Sequence, residues 1–497
     1  MAFIDETGVT VALPAVQRSL NATAVGAQWM VEAYTLLLAS LVLVGGSLGD
    51  RLGRRRVFSA GVVLFALASV WSGLAAGPEQ LIAARAVQGI GGALLVPNSL
   101  AIIGASFEEE RRGKAIGTWA GFTGLTMVLG PVLGGYLAEN LSWRWVFFIN
   151  VPLAVAVLAI VLVKVPESRD PGAGRLDLPG ATLAAAGLGG VVFGLLESSR
   201  TGLDDPLVLG SLVAGVAALA AFLVVEGRVR EPMVPLALFR VRNFAGANAF
   251  TLLLYFALGG TLFFLPFDLI QVQGYSATAA GAAVVPVVVL IFLLSPYTGG
   301  LADRFGARFP LVLGPAIAAV GFVLFAVPGT GGSYWTTFFP ATVILGVGLA
   351  VLVPAVTTVA LNSVEARHSG LASAINNAFA QVAGLLAVAA LGVLMFTVFD
   401  GALDARLAEL NLPPAARAEI EAEKVELGAA QAPENLDAQT DAAVERAFDE
   451  AFLSGYRAVM LVAAAVAAAC AISAALLIEG KKPELETAQT DGKDLAA

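Results

Sequence analysis

The 497-residue chain contains one histidine, His368, and one cysteine, Cys470. A metal centre or an imidazole proton shuttle needs more than that, and Cys470, set among alanines, has no disulfide partner. Charge is also scarce. Asp, Glu, Lys and Arg make up 13% of the chain, about half the share of an ordinary soluble domain. No Ser-His-acid set can be assembled from a single histidine. No phosphate-cradling loop exists, since Gly113-Lys114 runs into Ala115 without the upstream glycine. The start, Met1-Ala2-Phe3-Ile4-Asp5-Glu6, lacks the basic region of a signal peptide. Enzymatic and ATP-driven functions are therefore excluded for want of parts. No cofactor, metal or nucleic-acid partner is expected.

Long apolar runs fill the chain instead. Apolar residues make up 58% of it, and nearly every long segment stays apolar for the length of a bilayer span. Fourteen spans are predicted, at 1–16, 28–49, 57–76, 80–103, 115–138, 146–164, 178–197, 207–227, 244–271, 277–299, 309–328, 335–361, 369–399 and 455–478. The fold class is all-α integral membrane. Basic residues concentrate on cytoplasmic loops. With both termini inside, 20 of the 29 bases lie on that side, and the six short outer loops hold only Arg18, Arg144 and Arg200. Segment 1 has some 16 residues before Arg18, against about 20 for a span, so a start upstream of Met1 is expected.

The stretch Gly46-Ser47-Leu48-Gly49-Asp50-Arg51-Leu52-Gly53-Arg54-Arg55-Arg56 lies between two spans, and a degraded copy runs from Gly299 to Arg308. Asp50 and Asp303 are 253 residues apart, so a membrane module occurs twice in one orientation. Parallel repeats of this kind build transporters whose substrate site lies between the halves. Both copies resemble the G-x-x-x-D-R/K-x-G-R-R/K turn of the major facilitator superfamily, the second departing at Ala307. The resemblance implies gating roles for Gly46, Asp50, Arg51, Gly53, Arg54, Asp303 and Arg304, with Asp50 expected near the inner end of segment 11.

Fourteen spans exceed two six-helix halves by a hairpin. The plan is 1–164 for the N-terminal half, 165–243 for the inserted segments 7 and 8 with their loops, 244–479 for the C-terminal half and 480–497 for a cytoplasmic tail. This resembles the fourteen-helix drug:proton antiporters, as do Ser142–Pro152 and Pro235–Arg240. One soluble insert, 400–454, holds 13 acids and four bases, net −9, which equals the net charge of the whole chain. Val444, Phe448 and Phe452 form a helical apolar stripe there. A solvated, partly helical outer cap is expected.

Ionisable residues inside a bilayer are costly, so each is a functional candidate. Asp5 opens Asp5-Glu6-Thr7-Gly8-Val9-Thr10-Val11-Ala12-Leu13-Pro14, which resembles the first-helix signature of these antiporters, with Gly8 and Thr10 as departures. It lies thirteen residues inward of Arg18, about 20 Å. Burial favours the neutral form of a carboxyl, so a carboxylate at that depth can exchange a proton. Glu6 faces either a neighbouring helix or the cavity. Glu32, near the outer end of segment 2, either snorkels outward or faces substrate. Asp268, near the outer end of segment 9, is read first as a water-exposed interfacial residue and second as part of the cavity. Arg85 in Leu81–Gly92 matches the superfamily pattern L-x-x-x-R-x-x-Q-G-x-G, with Gln88 on the same face and Asp5 or Glu32 as partner.

Gly130-Pro131-Val132-Leu133-Gly134-Gly135 in segment 5 resembles the antiporter motif G-P-x-x-G-G. Its glycines let two helices approach closely, and Pro131 kinks the helix. Trp29, Tyr34 and Phe122, with Phe3, Trp119, Tyr255, Phe256 and Phe263, offer faces to lipophilic cations.

The resemblance implies a monomeric, proton-driven exporter of amphiphilic, cationic organic compounds in a bacterial cytoplasmic membrane, surrounded by lipid. Two alternatives stay open: an exporter of one native metabolite or lipid, and a transport-inactive membrane sensor.

Overall fold

A backbone immersed in lipid must satisfy its own hydrogen bonds, and helices do so within one segment. The computed structural model describes residues 1–107, 122, 126, 129–169, 177–229, 232–306, 308–362, 369–410, 412–424, 427 and 436–477, and the regular structure among them is all helical. The bundle helices are α1 (Ala2–Leu20), α2 (Ala24–Leu52), α3 (Arg54–Gly73) and α4 (Pro78–Ser106). Next come α5 over 129–140, α6 (Trp145–Lys164), α7 (Leu178–Thr201) and α8 (Pro206–Glu226). Then follow α9 (Arg242–Phe267), α10 in two pieces (Ala277–Ala283 and Val285–Phe305), α11 (Arg308–Phe325), α12 (Phe339–Asn362), α13 (Ser369–Leu407) and α14 (Ala438–Leu477).

Twelve of the described helices are long and apolar enough to cross a membrane. Each falls on one of the expected segments. The other two segments account for the difference from fourteen. Most of 115–128, with Trp119, lies outside the described residues, as do His368 and the tail from 478. Helix α1 carries Asp5, Glu6 and Arg18 and is not among the twelve. It runs past Arg18 to Leu20, where Asn21 takes the left-handed conformation (φ 49°) and closes it.

Helix ends sit where the sequence supplies acceptors. The Thr23 side chain accepts from Gly26 N at the start of α2, and Asp177 and Asp205 do the same for α7 and α8. Helices α2, α3 and α4 pack on one another, α11 packs on both α12 and α14, and α9 packs on α13 and α14. Hairpin α7–α8 packs on itself and then on α2 and α13.

The internal repeat is visible in the backbone. Gly53 ends α2 with φ +112°, and Gly306 ends α10 with φ +81°, again 253 residues apart. Both positions require glycine. The same offset relates Gly61, where a Cβ would lie 3.0 Å from Gly91 O on α4, to Gly314, where one would lie 2.9 Å from Gly348 O on α12.

The insert 400–454 is docked rather than free. Its helix Pro414–Glu423 is followed by Lys424, only 4% exposed, whose ammonium reaches Asp400 at 2.9 Å, Asp404 at 2.5 Å and Glu421 at 2.8 Å. Val444, Phe448 and Phe452 are all buried on the lower turns of α14. The described part of the insert is partly helical, as expected, but the expectation of a solvated cap is corrected for its apolar stripe, which continues the core of the bundle.

Candidate functional site

Four helices of the N-terminal half converge on Asp5. Its Oδ1 accepts from Gln88 Nε2 at 2.9 Å and from Asn150 Nδ2 at 2.7 Å, and its Oδ2 accepts from Arg85 Nη1. Arg85 Nη1 also reaches Gln88 Oε1 at 2.8 Å, and Arg85 Nε donates to Met30 O at 3.0 Å. Ser69 Oγ accepts from both amides, Gln88 at 3.0 Å and Asn150 at 2.9 Å. Tyr34 lays its ring under the guanidinium, 4.3 Å from centroid to Cζ. Asp5, Gln88 and Asn150 are fully buried, and Arg85 is 1% exposed. An ion pair closed to water survives only when hydrogen bonds satisfy its other atoms. Here they nearly do: among the described residues Arg85 Nη2, Asn150 Oδ1 and the Tyr34 hydroxyl are the atoms of the network that lack partners.

Asp5, Arg85, Gln88 and Tyr34 of this network are expected from the sequence, whereas Asn150 and Ser69 are not. Asn150 carried a usable signal, as a lone amide inside the apolar run Val146–Val163. Ser69 carried none, because a helical serine can bond its own backbone.

The other carboxylates are placed differently. Glu6 is half-buried and lies within electrostatic reach of Arg85, of Tyr34 and of Tyr255 on α9, groups from both halves. Glu32 is 1% exposed and its Oε2 has no partner among the described residues, so it does not snorkel. Asp268 is fully buried, which corrects the reading of a water-exposed interfacial residue. Trp29 faces the hairpin, its ring 6.3 Å from Phe193. Phe122 is exposed.

The helix 5 motif lies between α1 and α10. A Cβ on Gly8 of α1 would sit 3.1 Å from Gly130 O, and one on Gly134 would sit 2.6 Å from Gly8 Cα. On the opposite side, a Cβ on Gly135 would lie 2.6 Å from the carbonyl carbon of Ala277, and Gly281 presses on the Pro131 carbonyl. One turn on, Glu139 Oε2 accepts from Thr278 N at 3.0 Å and Thr278 Oγ1 at 2.6 Å. The halves therefore meet, backbone against backbone, at the end of the bundle that bears the insert. Two cavities open nearby, each about 10 Å³ and both lined by Ala24, Gln28 and Leu427. That is room for about one water, so neither is a substrate chamber.

At the opposite end, Gly46 packs on Pro97 of α4. Arg54 Nε bonds Asp50 Oδ1 at 2.8 Å, an ion pair within the turn itself. Arg55 N bonds Glu167 Oε1 at 3.0 Å, tying the turn to the chain after α6. Arg51 and Arg304 are exposed, and Asp303 lies in the last turn of α10.

Residues 1–388 match the family model described as Major Facilitator Superfamily. The chain belongs to this superfamily. It is 34% identical over 493 residues to a tetracenomycin C resistance and export protein of Streptomyces glaucescens, covering 97% of this chain and 90% of that one. It is 37% identical over 421 residues to a puromycin resistance protein of Streptomyces alboniger, covering 84% and 82%. It is 31% identical to the multidrug resistance protein Stp of Mycobacterium tuberculosis, along the whole of this chain and 92% of that one. Among solved structures, a bacterial homologue of the human lysosomal transporter Spinster superposes with a TM-score of 0.59 at 21% identity, covering 96% and 94% of the two chains. That likeness bears on the superfamily fold alone.

Proposed function

We propose that this chain is a proton-coupled exporter of amphiphilic, cationic organic compounds. It would work as a monomer in a bacterial cytoplasmic membrane, with both termini inside and the insert outside. The observation that carries the reading is the Asp5–Arg85 network inside the N-terminal half, next to Glu6, which lies within electrostatic reach of Tyr255 in the other half. A proton and a lipophilic cation each neutralise carboxylate charge, so they compete for such a group, and competition is what exchange requires. Arg85 contributes a fixed charge that holds the Asp5 carboxylate until a proton replaces it. The names of the relatives, which concern antibiotic resistance and export, support export of organic compounds. The packing of α5 against α1 and α10 supports a gate at the insert end. The basic turn, cross-tied through Glu167, supports one at the cytoplasmic end.

The test is transport in sealed vesicles with an imposed pH gradient, using tetraphenylphosphonium and several unrelated dyes. Uptake of many compounds with counterflow of protons is the expected result. Two relatives are named for a single antibiotic each, which favours a second reading: movement of one compound only would make this a dedicated exporter. No proton-dependent movement of any would overturn both.

A further inference from the structure

Helix α9 does not end as an α-helix. It changes to a π-turn over Asp268–Val272, and π-turns cost hydrogen-bond geometry and concentrate at functional sites. Asp268 is completely buried at the first position of that turn. Its Oδ1 accepts from Gln273 Nε2 at 3.3 Å, and its Oδ2 has no partner among the described residues. Tyr456 of α14, 1% exposed and within electrostatic reach of Asp268, has an equally unpartnered hydroxyl. Both amide atoms of Gln271, in the same turn, are orphaned as well. Unsatisfied groups on two residues of one turn and on the helix packed against that turn are too costly to be packing accidents.

The charges around the site do not compensate for it. Arg457 and Asp449 of α14 lie within electrostatic reach, but the Arg457 guanidinium is engaged with Pro328 O at 3.0 Å, and no ion pair to Asp268 exists among the described residues. Tyr275 is the remaining titratable neighbour. The packed piece Ala277–Ala283 carries no ionisable side chain. An ionised carboxylate so placed leaves one oxygen unsolvated, whereas a protonated carboxyl turns that oxygen into a donor for Tyr456 or a single water. Gln273 links the site to the surface, because its Nε2 also bonds Gly329 O at 2.9 Å and its Oε1 accepts from Gly331 N at 3.0 Å in the exposed loop before α12.

We propose that Asp268, with Tyr456 and Gln271 around it, is a second proton-binding site of the transport cycle, loaded from the insert end past Gln273. It is independent of the Asp5 network and lies in the other half of the molecule. Its role in transport rests on the proton-coupled reading above, but its occupancy by a proton does not.

The experiment therefore has two readouts on the full-length chain in detergent or vesicles. Infrared difference spectroscopy at neutral pH should show the carbonyl band of a protonated carboxyl that is lost in Asp268→Asn. The same band should move in frequency and titration in Tyr456→Phe, a change that keeps the ring and its packing. A band unchanged in both variants overturns the proposal. So does its loss from the parent when sodium replaces choline, which would make the site one for a metal cation. In the second readout, protons released per tetraphenylphosphonium bound should fall in Asp268→Asn without reaching zero, and release equal to the parent's would remove the site from the cycle. Absence of proton-driven transport in the parent, with the Asp268 band present, would strike the functional reading and spare the site.

Discussion

Asp5 and Arg85 stand 80 positions apart in the chain and are joined side chain to side chain with neither reachable by water. Removing one member of such a pair strands the other. Arg85→Ala leaves a buried carboxylate held by Gln88 and Asn150 alone and removes the side-chain bond to Met30 O. A loss of about 3–5 kcal/mol is the usual scale for breaking a buried pair. Asp5→Asn strands a guanidinium that still has Gln88, Met30 O and the Tyr34 ring, so it should destabilise less. The double variant Asp5→Asn/Arg85→Gln should recover much of the thermal stability in detergent yet transport nothing against a gradient. If the double variant is less stable than Arg85→Ala, the pair is not acting as an ion pair.

The contact between Gly8 and Gly134 leads to a prediction about degree. A Cβ on Gly134 meets backbone, which cannot yield, whereas one on Gly130 meets the Thr7 side chain, whose hydroxyl is bonded to Phe3 O. A helical threonine has two rotamers, so Thr7 can yield by giving up its bond to Phe3 O, a cost of about 1 kcal/mol. Gly134→Ala should therefore impair export far more than Gly130→Ala, while Gly130→Leu should fold but export poorly. Normal export by Gly134→Ala would show that the close approach of α1 to α5 is dispensable.

The bundle was legible because its governing patterns are long and repeated. Apolar runs gave the helices, and the basic turn gave the repeat that Gly53 and Gly306 now show in their dihedrals. Asp5, Arg85 and Gln88 were legible because a charge inside a bilayer run has few excuses. What stayed hidden was tertiary. Nothing in the local sequence says that Glu32 and Asp268 are sealed rather than wet, because both lie where a span reaches the interface. Lys424 reads as one charge in an acidic loop, and only folding reveals that three carboxylates enclose it.

Glu139 and Thr278 form the exposed tie between the halves at the insert end. The Thr278 side chain and backbone donate to Glu139 and hold its carboxyl below the usual carboxylate range. With a depressed value in the closed state, the tie is fully present above the ordinary carboxylate value and is lost as pH falls through the lowered one. Acid at that face should therefore favour opening, and Glu139→Gln should remove most of the acid response. Distance measurements between spin labels on α5 and α10 across an acid titration would check this. A response unchanged in Glu139→Gln would place the acid sensitivity in another group.

Lys424 latches the insert to the end of α13 through Asp400 and Asp404. Burial alone pulls an ammonium down, but the bonds to Asp404, Glu421 and Asp400 outweigh it and leave Lys424 above its ordinary value. The folded value is the raised one, so the contribution is complete below the unfolded value and fades only as pH rises through the folded value. The insert should stay docked throughout the neutral and mildly alkaline range. Lys424→Met keeps the stem and removes the charge, leaving three carboxylates facing one another with Leu427 just beyond, over the two small cavities. Limited proteolysis within 400–454 should then quicken severalfold at neutral pH, while spans protected by lipid remain uncut. Proteolysis at the parental rate in Lys424→Met would mean that the buried stripe of Val444, Phe448 and Phe452 holds the insert without the latch.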